Sequence, residues 1–206
     1  MQKCLILSVG ILFVFSAVGC SGNVNNKSTK SNRTIVTAAG IQVTIDEGGQ
    51  FPDFFAGKWA GPDSWGFDFE PNGILSSIKH TLGGVEMKPY YIARIPVRGN
   101  KEAVFKPGGW FVNYTPSTRL LTVQITIEDF NFPMGEDSLT GNSVDIFTGP
   151  VSKDGTIWQV TWTSFPDYVG HTRELPNYRL PVMDPNGDVR EVVFEKVKEQ
   201  KSATKE

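Results

Sequence analysis

Cysteine is nearly missing from this chain: its 206 residues hold only Cys4 and Cys20, both close to the start. Everything after residue 20 therefore lacks a thiol for a disulfide, a thiolate metal site or a cysteine nucleophile. Stability there has to come from a packed core. Histidine is almost as scarce, with His80 and His171 alone. Two imidazoles so far apart make no zinc cluster, and a strand-end or loop histidine reads first as a solvated polar residue. The Gly-x-Ser-x-Gly elbow of serine hydrolases is missing too. So is an excess of charge: a formal net charge of -2 argues against nucleic acid as a partner. With 21 Gly and 13 Pro, no stretch of ten residues carries convincing helical periodicity. Neither a solenoid repeat nor a low-complexity body is present.

What the first residues do have is a pattern. Lys3 precedes an apolar run, Leu5 to Val18, which ends in Ala17-Val18-Gly19-Cys20. The run is shorter than the roughly 20 residues of a spanning helix, and polar residues follow it. A basic start, an apolar run and small residues before a cut make an export signal. With a cysteine directly after the cut, the stretch resembles a bacterial lipoprotein signal. That resemblance implies loss of residues 1–19, acylation of Cys20, and a domain exported from the cytoplasm and tethered to a membrane. Each buried methylene contributes about 0.8 kcal/mol, so two or three acyl chains hold a protein almost permanently. Ser21, where an Asp marks inner-membrane retention in enterobacteria, implies the outer membrane in a Gram-negative cell and the cell membrane otherwise. Residues 20–33 then form a polar tether, 34–197 one β-rich domain, and 198–206 a charged tail.

In that domain the apolar period is 2. Leu121, Val123, Ile125 and Ile127 alternate with Thr122, Gln124, Thr126 and Glu128; Trp158, Val160 and Trp162 alternate with Gln159 and Thr161. Trp65, Phe67 and Phe69 repeat the pattern, and Asn72-Gly73, Asp154-Gly155 and Asn186-Gly187 supply turns. The fold class is all-β and antiparallel, with closure as a β-barrel preferred and a β-sandwich as the alternative. Phe55-Ala56-Gly57-Lys58-Trp59-Ala60-Gly61, followed by Trp65 to Phe69, resembles the opening of lipocalin-like, calycin-type barrels. The resemblance covers about 25 residues. It implies that Gly57 and Trp59 begin the first barrel strand and that the Trp59 indole plugs the closed end.

Catalytic and metal motifs do not assemble, and no cofactor is implied. Ser76-Ser77-Ile78-Lys79 has a Ser-x-x-Lys spacing, but a strand puts Ser76 and Lys79 on opposite faces. Asp184-Pro185-Asn186-Gly187-Asp188 has calcium-loop spacing without the closing Glu, and a plain turn uses the same residues. Glu128-Asp129 and Glu136-Asp137 read as solvating a long loop from Phe130 to Ser138, with cation binding or acid–base sugar cleavage as the alternatives. Trp59, Trp65, Trp158 and Trp162 read as packing. Trp110 follows Lys106-Pro107-Gly108-Gly109, a turn that lifts an indole to a rim. With Tyr90, Tyr91 and Tyr114 it is the candidate ligand platform. The long Phe165 to Val189 segment reads as a lid or binding loop. The functional expectation is a membrane-anchored binding protein for a small apolar ligand or lipid. The alternatives are a protein- or glycan-binding sandwich and an envelope glycan hydrolase.

Overall fold

Alternating sequence becomes strand throughout. The computed structural model describes residues 33–36, 40–80, 84–171, 178–179 and 187–198, with backbone alone for 33–36, 171 and 178–179. These residues hold fourteen strands and three single-turn 3₁₀ segments, with no α-helix among them. In chain order the strands are β1 (Arg33–Val36), β2 (Ile41–Ile45), β3 (Gly57–Ala60), β4 (Gly66–Phe69) and β5 (Leu75–Lys79). Then come β6 (Glu86–Met87), β7 (Ala93–Val97), β8 (Lys101–Pro107), β9 (Trp110–Thr115) and β10 (Leu120–Met134). The chain ends with β11 (Asp137–Pro150), β12 (Ile157–His171), β13 (Tyr178–Arg179) and β14 (Asp188–Lys196). All belong to one mixed sheet, strongly curled into a half-barrel, whose main path runs β1-β2-β9-β10-β11-β12-β14-β3-β4-β5-β6.

The long strands β10, β11 and β12 are its spine. On β10 the inward positions Leu121, Val123, Ile125 and Ile127 are apolar at every second residue, as are Trp158, Val160 and Trp162 on β12, whereas β11 turns Ser143, Asp145 and Phe147 inward. A β-bulge between Ile127 and Phe130 leaves Glu128 and Asp129 both exposed before Phe130 turns inward again. A bulge bends its strand and strengthens the twist. Before it β10 pairs with β9; from it onward β10 pairs with β8, which carries β7. The break between β8 and β9 is Gly108-Gly109, and Gly108 donates its backbone N–H to the Thr126 carbonyl at 2.9 Å.

Two expected loops are corrected by this pairing. Phe130 to Ser138 is mostly strand, a hairpin of β10 and β11 turning at Gly135, whose φ is 74°. The segment after Phe165 continues as β12 to His171, paired with β11 from Ser143↔Pro166 to Ser138↔His171. Residues 172–177 and 180–186, including most of the Asp184–Asp188 turn, lie outside the described residues. One strand pair runs against the antiparallel expectation: β2 lies parallel to β9 from Ile41↔Trp110 to Ile45↔Tyr114. The turn after β2 pins it. Asp46 accepts hydrogen bonds from Thr115 Oγ1 at 2.7 Å and Asn113 Nδ2 at 3.3 Å, and Glu47 accepts from Ser117 Oγ at 2.6 Å.

Aromatic rings fill the space the sheet encloses. Phe55 stacks on Trp59 at 4.3 Å and meets Phe69 edge-on at 4.7 Å. Trp65 meets Phe147 at 4.9 Å, and Phe147 stacks on Trp162 at 5.8 Å. Phe67 and Phe194 join these layers at 5.0 Å. Fully burying such a side chain contributes about 1.5–3 kcal/mol, and a well-oriented ring pair adds about 0.5–1.5 kcal/mol. The four tryptophans read as packing, Trp59, Trp65, Trp158 and Trp162, are all buried.

Candidate functional site

The arm formed by β3, β4, β5 and β6 buries one face and presents the other to solvent. Strand alternation sends Trp59, Phe67 and Ile78 inward, and Lys58, Ala60, Gly66, Asp68 and Lys79 outward. Register then sets the outward residues in two rows. Lys58 lies opposite Asp68, and Asp68 opposite Ser77. Ala60 lies opposite Gly66, Gly66 opposite Lys79, and Lys79 opposite Glu86. The result is a groove of about 430 Å³ with a floor of Ala60, Gly66, Ser77 and Gly84. Its rim carries Lys58, Lys79, Asp68 and Glu86. Glu86 also borders a second groove of about 440 Å³, lined by Lys88, Tyr91, Ile92 and Ala93.

The electrostatics of this face are unusual for cross-strand neighbours. Lys58 faces Asp68 and Lys79 faces Glu86, yet neither pair comes within ion-pair distance, and among the described residues none of the four side chains has a hydrogen-bond partner. Elsewhere the surface does close its pairs: Lys106 bridges Glu128 at 2.8 Å, and Arg190 bridges Asp188 at 2.8 Å. The groove thus offers two carboxylates as acceptors and two ammonium groups as donors, all uncommitted, around a floor without bulk.

The expected platform of Trp110, Tyr90, Tyr91 and Tyr114 is split, and this corrects the rim expectation. Trp110 is 0 % exposed. The Pro107-Gly108-Gly109 turn does precede it, but Trp110 already belongs to β9, whose alternation sends Trp110, Val112 and Tyr114 inward and Phe111 outward. Tyr114 packs on Phe51 at 5.6 Å, and burial raises its phenol above the ordinary range. Tyr90 and Tyr91 do reach solvent, at 58 % and 66 % exposure. They sit in a turn closed by the Tyr91 N–H donating to the Lys88 carbonyl at 3.2 Å. Tyr90 takes a φ of 59°, where glycine is the ordinary choice. Its ring lies where a Cβ on Gly40 would stand, at 1.9 Å, and its hydroxyl 2.8 Å from one on Gly109. Two glycines thus make the shelf that holds Tyr90 and turns Tyr91 toward the second groove.

Trp59 lies at the seam where β14 meets β3, paired with Lys196. Its Nε1 donates to the Phe55 carbonyl at 2.8 Å. Gly57 starts β3 with a φ of 107°. Cys20 and the side chain of His171 lie outside the described residues. His80 is buried instead of solvated. Packed edge-on to Trp65 at 4.7 Å and 6.1 Å from Phe105, its imidazole is pushed down to about 4 by desolvation.

A buried polar cluster on the inner wall, Ser143, Asp145, Trp162 and Ser164, follows no sequence motif. Asp145 Oδ1 accepts from Trp162 Nε1 at 3.0 Å, and Oδ2 from Ser143 Oγ at 3.0 Å. The Ser164 hydroxyl also bonds this carboxyl. Burial raises the Asp145 pKa, and these three donors oppose the rise. Beside it the Tyr168 phenol is pushed up to about 12, first by burial and then by the Asp145 charge. With each carboxyl oxygen satisfied, the cluster orients Trp162 and fixes the β11–β12 wall. Among the described residues no three metal-ligating side chains converge. No protein-family model, curated protein or solved structure matches this chain.

Proposed function

We propose that this chain is a lipid-anchored envelope protein whose β-domain binds, and that it holds its ligand on the outer face of β3 to β6. Cys20 supplies the anchor, and the polar residues up to Arg33 supply the reach. The observation that carries the reading is the outer groove: four uncommitted charges around a floor of small side chains. Opposite charges on neighbouring strands that do not close into contact contribute little to the fold, at most about 1 kcal/mol, whereas a ligand can use all four. The neighbouring groove with Tyr91 and Ile92 extends the surface. Its size class, a few hundred Å³ per groove, suits one ligand segment in each. This is the protein- or glycan-binding alternative among the sequence expectations. Packing favours it over an interior carrier, because rings occupy the inward face from Phe51 to Tyr168.

An interior apolar ligand is the second reading, and one observation favours it. Among the described residues the buried indole Nε1 of Trp110 has no acceptor, a cost of about 1–3 kcal/mol that a bound molecule can offset. The test separates the two. Full-length protein in detergent is incubated with an envelope extract, and the bound material is recovered and compared with that of an Ala60→Trp variant. Ala60 is exposed on the groove floor, so the bulk fills the groove and leaves the core intact. Loss of captured material in the variant supports the outer site; capture unchanged by it, with an apolar small molecule released on denaturation, supports the interior. Cys20→Ser tests the anchor and moves the protein from the membrane to the soluble fraction.

A further inference from the structure

We infer that the outer groove takes an overall neutral polysaccharide strand. The inference rests on the reading of that groove as the binding site and names the ligand class it accepts. The argument starts from the sign pattern. Along the rim the charges are Lys58, Asp68, Lys79 and Glu86, two of each sign, with opposite signs on adjacent strands at both Lys58↔Asp68 and Lys79↔Glu86. A polymer of one charge, whether phosphate, sulfate or uronate, meets two attractive and two repulsive groups on this rim, whose contributions offset, and Lys88 in the second groove adds a single positive group. A ligand of uncharged hydroxyls meets four good partners. Each hydroxyl both donates and accepts, so it can donate to a carboxylate and accept from an ammonium in the same pose.

The floor points the same way. Ala60 and Gly66 lie side by side on β3 and β4, and Ser77 on β5 stands in the next row opposite Asp68, so a flat ring can approach the backbones of β3 and β4 closely. At Gly66 an added Cβ would stand only 3.2 Å from the Trp59 carbonyl and 3.4 Å from Lys79 Cβ, so a larger residue fits poorly at this position. A peptide strand finds less here, because β4 already has β3 and β5 as partners and its backbone groups are committed. At the far end, past Glu86, Tyr91 offers an exposed ring against which the apolar face of a sugar can stack. The two grooves share Glu86, so one strand of several sugar units can lie across both.

The experiment uses full-length protein in detergent on an array of immobilised glycans: neutral hexose and N-acetylated hexosamine oligomers, uronate oligomers and phosphorylated glycans. Wild type, Lys79→Ala, Asp68→Asn, Tyr91→Ala and Ala60→Trp are compared, with the affinity for the best glycan measured by titration at 50 and 300 mM salt. The expected result is binding to neutral oligomers of four units or more. Lys79→Ala and Asp68→Asn each weaken it about tenfold, the loss of one charge-assisted hydrogen bond. Salt changes it less than twofold. Tyr91→Ala weakens long oligomers more than short ones. Binding to acidic or phosphorylated glycans alone, abolished by Ala60→Trp, overturns this inference and keeps the groove as the site. Envelope protein captured through the groove, with every glycan silent, does the same. Ligand capture indifferent to Ala60→Trp overturns both readings. Circular dichroism and the urea midpoint of each variant confirm that it folds.

Discussion

Acid should destabilise this protein through one imidazole. His80 is 4 % exposed and packed between Trp65 and Phe105. Desolvation lowers its pKa from 6.5 to about 4. Above about pH 6.5 the group is neutral in both folded and unfolded chains, and its contribution is fully present. As pH falls below 6.5 the unfolded chain takes up a proton that the folded chain refuses, so stability drops until the folded imidazole protonates near pH 4. Between 6.5 and about 4 the linkage amounts to a loss of about 3 kcal/mol. That is a large share of the 5–15 kcal/mol typical of a folded domain. Asp145 works in the other direction, since its raised pKa makes the folded state hold a proton that the unfolded chain releases above about pH 4. Single-protein pH curves therefore mix the two. The clean measurement is the difference between wild type and His80→Gln in urea-unfolding free energy, at half-unit steps from pH 7.5 to 4. Asp145 cancels in that difference. The expected difference shrinks by about 3 kcal/mol toward wild-type disadvantage across the window. A difference that stays flat within 0.5 kcal/mol would refute the account of His80 as a desolvated neutral group, because linkage allows no shift without a slope.

Three further outcomes follow from the packing. Gly149→Ala should destabilise by about 3 kcal/mol or more, because its Cβ would stand 1.7 Å from the Gln159 carbonyl in the adjacent strand; thermal unfolding measures it, and an unchanged midpoint would contradict the register of β11 with β12. Asp145→Ala should cost about 3 kcal/mol by leaving the Trp162 N–H and two serine hydroxyls unpaired, while Asp145→Asn should cost less and remove the loss of stability that the raised carboxyl causes above about pH 4. Asp46→Ala should selectively loosen the parallel β2–β9 pair, seen as faster amide exchange at Val43 and Val112 with β11–β12 amides unchanged.

Much of the spine was legible because burial imposes period 2. Leu121 to Ile127 and Trp158 to Trp162 announce strands by alternation alone, and they are the inner wall of the half-barrel. What hid β10's second half was the bulge: Glu128 and Asp129 both face out, the period breaks, and Phe130 to Ser138 then reads as loop. Trp110 was misplaced for a related reason. A Gly-Gly turn says that the chain bends, but the inward or outward sense of the next residue depends on which strand face meets the core. Here that is set by Val112 and Tyr114 two and four residues later. The parallel pairing of β2 with β9 leaves no local mark either, since it depends on two strands about 70 residues apart, pinned by Asp46.

The candidate site shows the same limit more sharply. Lys58, Asp68, Lys79 and Glu86 are each ordinary outward residues of a half-buried strand, and no spacing along the chain joins them. They become a site only through the registers Lys58↔Asp68, Gly66↔Lys79 and Lys79↔Glu86. Those registers are fixed from the other face. A one-residue slip of β4 would expose Phe67 and Phe69 and bury Asp68, which the ring contacts of Phe67 with Phe147, Trp158 and Phe194 forbid. The core therefore determines the pattern of the outer surface. This makes a testable link between stability and binding: Phe67→Leu, which weakens the inner face of β4 without touching the groove, should lower both the urea midpoint and ligand affinity. Ser77→Ala on the floor should leave the midpoint in place. If Phe67→Leu costs stability but leaves affinity unchanged, the groove is not held by that register, and its charges act as independent surface groups.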